Sequence, residues 1–110
     1  MRFIQNITLA FTLAASVATV AGEFKLSSND ITHGEFMPKA QEFNGFGCTG
    51  DDKSPHLKWE NLPEGTKSLA ITAYDPDAPT GSGWWHWQVV NIPVKVAEIK
   101  SGDSGKALAQ

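Results

Sequence analysis

Between Tyr74 and Trp87 the sequence reads Tyr-Asp-Pro-Asp-Ala-Pro-Thr-Gly-Ser-Gly-Trp-Trp-His-Trp. Two carboxylates, one imidazole and three indoles stand within reach of one another. Three chemistries suit such a set. An imidazole held cationic by a neighbouring carboxylate can bind phosphate or carboxylate through charge-assisted hydrogen bonds. Asp75 and His86 could also form an acid–base pair in an enzyme. That reading needs a nucleophile, and Ser82 lies between Gly81 and Gly83, which fits a flexible tip better than a fixed triad. A metal site needs convergent ligands. One His and two Asp could ligate zinc, but Pro76 and Pro79 restrict how the carboxylates converge, and no His/Cys spacing supports it. The residues therefore favour anion binding over catalysis, with no catalytic residue, no metal and no cofactor expected. On residues alone, His86 could equally pin the loop through Asp75, and Asp77 could simply cap the turn.

The elements that must position these groups are two strand-like runs. Ser68–Tyr74 and Gln88–Ile92 are rich in β-branched or apolar residues and are bounded by Pro or Gly. Antiparallel pairing places the exit of the first beside the entry of the second. Period two over Trp85–Asn91 puts His86, Gln88 and Val90 on one face and Trp85, Trp87, Val89 and Asn91 on the other. Trp87 reads as core. Trp84, beside two glycines, reads as a pocket wall. Pro76 and Pro79 stiffen the connecting loop and reduce the entropy lost when it orders around a ligand. Ala78–Pro79 is a candidate cis junction.

The remaining chain reads as short strands and turns. Glu23–Ser28 alternates polar and apolar residues, the pattern of a half-buried strand. Ser28-Asn29-Asp30 marks a turn, and Ile31–Met37 is a weaker extended candidate stopped by Pro38. His33 reads as a surface histidine. Phe43–Gly50 holds three glycines in a loop without a phosphate-binding fingerprint. Asp51-Asp52 reads as a solvated acidic turn, since no calcium-loop spacing follows. In Ser54–Trp59, period two turns Leu57 and Trp59 inward and His56 and Lys58 outward. Leu62–Thr66 is a turn, and Val94–Ile99 is a last extended piece. Nothing from residue 22 onward has a convincing helical period.

Composition bounds the function. The chain has 110 residues, enough for one small domain. Its net charge is −3, and its nine basic residues are scattered singly, which argues against nucleic-acid binding. Residues 1–21 read as a secretory signal: Arg2, an uncharged run from Ile7 to Ala21, and small residues at the end. Thr19-Val20-Ala21 is the best cleavage site, with Ser16-Val17-Ala18 as alternative. The run is too short for a comfortable membrane span of about 20 apolar residues. Cleavage at Ala21 removes Arg2 and no acid, leaving 8 basic and 12 acidic side chains, a formal −4. Residues 22–110 would then remain as the mature chain. Cys48 is the single cysteine.

Asp-Pro-Asp-Ala-Pro followed by His-Trp-x-Val-x-Asn-Ile-Pro resembles the phosphatidylethanolamine-binding protein family. The full spelling of residues 74–87 is similar to its bacterial YbhB/YbcL branch, the Raf kinase inhibitor-like proteins. Ser54-Pro55-His56-Leu57-Lys58-Trp59 matches a second family pattern. The resemblance implies a mostly β fold with an antiparallel or mixed sheet, a periplasmic or secreted address, and an anion pocket. Carried over by motif, the pocket residues are Asp75, Pro79, Trp84 and His86. Where other members place a second His, this chain has Trp85, which implies a less polar pocket. The family continues with a second region carrying further pocket residues and a cysteine. The resemblance thus implies an N-terminal part of the domain, with the partner of Cys48 in that second region. The implied ligand is phosphate or a phosphorylated head group. The alternative is a protein-interaction or inhibitor module using the same pocket, as in family members that inhibit kinase pathways or a carboxypeptidase.

Overall fold

The computed structural model describes residues 22–104, together with Thr12. The expected signal segment (residues 1–21, Thr12 apart), its expected cleavage sites and residues 105–110 lie outside the described residues. Within them the chain is mostly β, and every strand pair is antiparallel. In order these are β1 (Lys25–Ser27), β2 (Asn44–Gly45), β3 (Cys48–Thr49), β4 (Leu57–Glu60), β5 (Ser68–Asp75), β6 (Trp84–Pro93) and β7 (Glu98–Ile99). A single 3₁₀ turn covers Lys39–Gln41. Three sheets result: β1-β4-β7, the small β2-β3 hairpin, and the long β5-β6 hairpin.

Several elements follow directly from local chemistry. Phe46 and Gly47 both have positive φ, 50° and 85°, the backbone of the tight turn that joins β2 to β3. The glycine-rich stretch is therefore a two-stranded ribbon rather than a plain loop. Ile31–Met37 forms no strand; Glu35 donates its N–H to the Thr32 carbonyl across a turn instead. Pro38 leads into the 3₁₀ turn. Gly65, at φ 84°, completes the turn between Leu62 and Thr66.

Leu57 and Trp59 turn inward as their alternation requires, and are 6% and 5% exposed. With Ile92 and Ile99 they form the core. Leu69, Ile71, Trp87 and Val89 pack against it from β5 and β6. The hairpin thus rests one face on the three-stranded sheet. Trp59 also donates its indole N–H to the Val96 carbonyl at 3.0 Å, which satisfies its buried polar atom.

His56 does not point outward with Lys58. It precedes β4, so strand alternation does not govern it, and it is buried. Its surroundings answer each of its polar atoms. Asn29 N–H donates to Nδ1 at 3.1 Å, which fixes Nδ1 as an acceptor and puts the proton on Nε2. Nε2 lies 3.0 Å from Glu98 Oε2 on β7. The His56 backbone N–H donates to Asp30 Oδ2 at 2.6 Å, and Ser28 Oγ donates to the His56 carbonyl. One residue thereby ties the chain after β1 to the last strand.

The hydrogen bond from His56 holds the Glu98 carboxyl below its ordinary value of 4.5, and the His56 N–H does the same for Asp30. A carboxyl with a lowered folded-state pKa stabilises the fold fully above the unfolded value and loses that effect as pH falls through the folded one. Urea midpoints of the full chain and Glu98→Gln should therefore differ most near neutral pH. The gap should shrink steadily as pH falls below about 4.5. A gap independent of pH would place the contribution of Glu98 elsewhere.

Candidate functional site

The site stands at the open end of the β5-β6 hairpin. Along β5 the half-buried row is Leu69, Ile71, Ala73 and Asp75, so Asp75 ends the face that packs on the core. Asp75 pairs with Trp84 across the hairpin, Tyr74 with Trp85, and Ala73 with Trp87. His86 has no partner. The register shift between Ala73 and Tyr74 makes it the extra residue of a β-bulge. A bulge re-aims side chains, and here the imidazole turns toward Asp75, with His86 Nε2 3.6 Å from Asp75 Oδ2. Strict alternation, which placed His86 with Gln88 and Val90, fails at this point.

At 3.6 Å the contact is an ion-pair distance rather than a hydrogen bond. The His86 and Asp75 side chains are 54% and 43% exposed, so the pair is open to a ligand from solvent. Trp84 is exposed beside them. The structure therefore brings together Asp75, Trp84 and His86. Pro79 lies within the exposed loop, where the Thr80 N–H donates to the Ala78 carbonyl at 2.7 Å. That is a γ-turn centred on Pro79, and a φ fixed near −65° suits it. Ala78–Pro79 is trans; no cis bond occurs among the described residues.

The loop is organised by Asp75 more than by Asp77. Asp75 Oδ1 accepts the Asp77 N–H at 2.9 Å, an Asx turn. One carboxylate oxygen thus holds the loop while the other faces the imidazole. Thr80 Oγ1 donates to the Gly83 carbonyl at 2.5 Å and closes the far side. Trp85, expected to occupy a pocket position, lies on the reverse face. Its ring meets that of Tyr74 at 4.6 Å between centroids, tilted by 37°. It does not stand on the Asp75 side of the hairpin.

Tyr74 is the residue that sequence reasoning passed over. Its hydroxyl donates to the Ser82 carbonyl at 2.6 Å. The available signal was a tyrosine at the last outward position of β5, opposite a glycine-rich return.

No group of three or more His, Cys, Asp or Glu side chains capable of holding a metal occurs among the described residues. Cys48 is exposed in β3 and unpaired with any described cysteine. An apolar groove lined by Phe24, Leu26, Trp59, Leu69 and Ile71 opens between β1, β4 and β5. It carries no charged side chain and offers an anion nothing.

This fold and this motif define a family. The sequence profile of the phosphatidylethanolamine-binding proteins matches residues 27–110, and the chain belongs to that family. Among its relatives, the UPF0098 protein YbcL of Escherichia coli (strain K12) is 57% identical over 79 residues, 72% of this chain and 43% of that protein. The UPF0098 protein YbhB of the same organism is 55% identical over 78 residues, 71% of this chain and 49% of that protein. The crystal structure of E. coli YbcL, described as a new member of the mammalian PEBP family, superimposes with a TM-score of 0.71 at 56% identity. The match covers 74% of this chain and 49% of that one. The chain spans about half the length of the curated relatives it matches.

The return of the loop depends on Gly83. Its φ is 75°, and a side chain there would overlap the Tyr74 hydroxyl and the Asp75 carbonyl. Gly81 has a similar φ of 81° but open space around it. Gly81→Ala should cost only the backbone strain, about 1 kcal/mol. Gly83→Ala should cost about 2–3 kcal/mol, at the upper end for a strained site. Urea unfolding of both variants checks this, and equal losses would contradict the close packing at Gly83.

Proposed function

We propose that the chain provides a periplasmic or secreted binding site for a small anion, phosphate or a phosphorylated head group, without turnover. The observation that supports this is the His86–Asp75 pair at 3.6 Å on a half-exposed rim beside Trp84. Because the ring makes no hydrogen bond to Asp75 at that distance, an imidazole N–H is available to a phosphate oxygen. Asp75 can accept a hydrogen bond from a phosphate hydroxyl or from the ammonium end of a head group. Trp84 offers an aromatic face for the ligand's apolar or cationic part. The prolines and the Asx turn keep the loop ordered before binding, which lowers the entropic cost.

Tryptophan fluorescence of the full chain should respond saturably to inorganic phosphate and to phosphoethanolamine, since Trp84 borders the site. His86→Ala should weaken binding about tenfold or more, the effect of a hydrogen bond to a charged group worth about 1.5–3 kcal/mol. No saturable response to either ligand, or a His86→Ala variant that binds as well as the unsubstituted chain, would overturn the reading.

A further inference from the structure

The reverse face of the β5-β6 hairpin carries an arrangement that the anion pair does not use. Tyr74 leaves β5 opposite to Asp75 and stacks on Trp85. Its hydroxyl reaches across eight residues of sequence to the Ser82 carbonyl. Tyr74 and Trp85 are both about half exposed, so neither contact serves to fill the core. An exposed hydroxyl that could equally bond water gains little net stability from a carbonyl partner. What the bond does is geometric. It fixes the loop at the residue two before Trp84, and Gly83 packs directly under the same hydroxyl.

We propose that Tyr74 is a positioning residue for the Asp75–His86 site. Its hydroxyl holds the returning loop so that Trp84 arrives opposite Asp75. Its ring holds Trp85, the residue before the bulge, on the outer face. With Trp84 and Trp85 fixed in register and Trp87 paired to Ala73, His86 is left as the unpaired residue. The clamp on one face thus sets the direction of the imidazole on the other. The ligand part of this inference rests on the anion-binding reading; the local part does not.

Tyr74→Phe keeps the ring and removes only the hydroxyl. Amide hydrogen exchange in the full chain should accelerate at Gly83 and Trp84 and stay unchanged at Ile71 and Val89. Phosphate affinity, read by tryptophan fluorescence, should fall about fivefold, the size of one net hydrogen bond. In a His86→Ala background the same substitution should change phosphate affinity no further, which a general loss of stability would not reproduce. Unchanged exchange at Gly83 and Trp84 overturns the clamp. Accelerated exchange with undiminished phosphate affinity overturns the positioning role. A chain that shows no phosphate response before substitution, yet exchanges faster as Tyr74→Phe, overturns the anion reading and the ligand part of this inference, and leaves Tyr74 as a loop anchor.

Discussion

The bulge at His86 is the constraint on which the site depends. Below it, Ala73 pairs with Trp87; above it, Tyr74 pairs with Trp85. Continue the lower register without interruption, and His86 would lie opposite Tyr74 on the outer face while Trp85 would face Asp75. The imidazole and the carboxylate would then stand on opposite sides of the hairpin. One inserted residue reverses both assignments. It sends Trp85 outward to stack on Tyr74 and lets His86 reach Asp75. A bulge leaves a residue unpaired, disrupts the ladder locally and bends the strand. The Tyr74–Trp85 ring contact and the Gly83 return flank it.

A second irregularity in β6 has a different purpose. Leu69 pairs with Ile92, while Ile71 pairs with Val89, so an extra residue lies between. Asn91 sits there with φ 57°, a conformation that Asn tolerates better than most residues. Unbroken pairing would put Asn91 on the inner row beside Leu69 and turn Ile92 to solvent. The bulge buries Ile92 completely instead. The same strand is thus kinked twice, once near each end. The kink at His86 aims a site residue, and the kink at Asn91 aims a core residue. A single continuous register could satisfy neither.

These two kinks also explain what the sequence disclosed and what it did not. Leu57 and Trp59 were legible because nothing interrupts alternation over β4, and both are buried as that pattern requires. The two hairpin strands were legible from β-branched runs bounded by Pro and Gly, and their pairing brought Asp75 and His86 to one end. The faces of β6 were not legible, because a period-two reading has no means of counting an unpaired residue. Asn91 was the one available hint, as a residue type at home in left-handed backbone. His56 was misjudged for a related reason. It stands one position before β4, where its orientation is set by Asn29, Asp30 and Glu98, which come from distant parts of the chain. Propensity sees local neighbours only. The family motif pointed to Asp75, Trp84 and His86, which lie side by side in the structure, but motif matching alone gave no role to Tyr74.

A carboxylate beside the proposed anion site raises an energetic objection, and exposure sets its size. Asp75 would repel a bound phosphate. At about 4 Å, two unit charges in a water-like environment interact by only about 1 kcal/mol, and salt reduces this further. At a protein surface the figure rises to about 4 kcal/mol, and the half-exposed rim lies between these two values. A hydrogen bond from an imidazole N–H to a charged phosphate contributes about 1.5–3 kcal/mol, so it offsets the repulsion toward the water-like end of that range. Deep burial would reverse the balance, because repulsion grows as the dielectric falls. The exposure of the pair is therefore a condition for the proposed binding rather than a defect of it. Under the proposed binding, the same comparison would give Asp75 a selective effect. A fully ionised anion meets repulsion with no return, whereas a ligand that adds a hydroxyl or an ammonium donates a bond to the carboxylate. Held by the Asp77 N–H on one oxygen, Asp75 keeps the other toward His86, and on the proposed reading the pair would favour ligands carrying an acceptor and a donor a few ångströms apart.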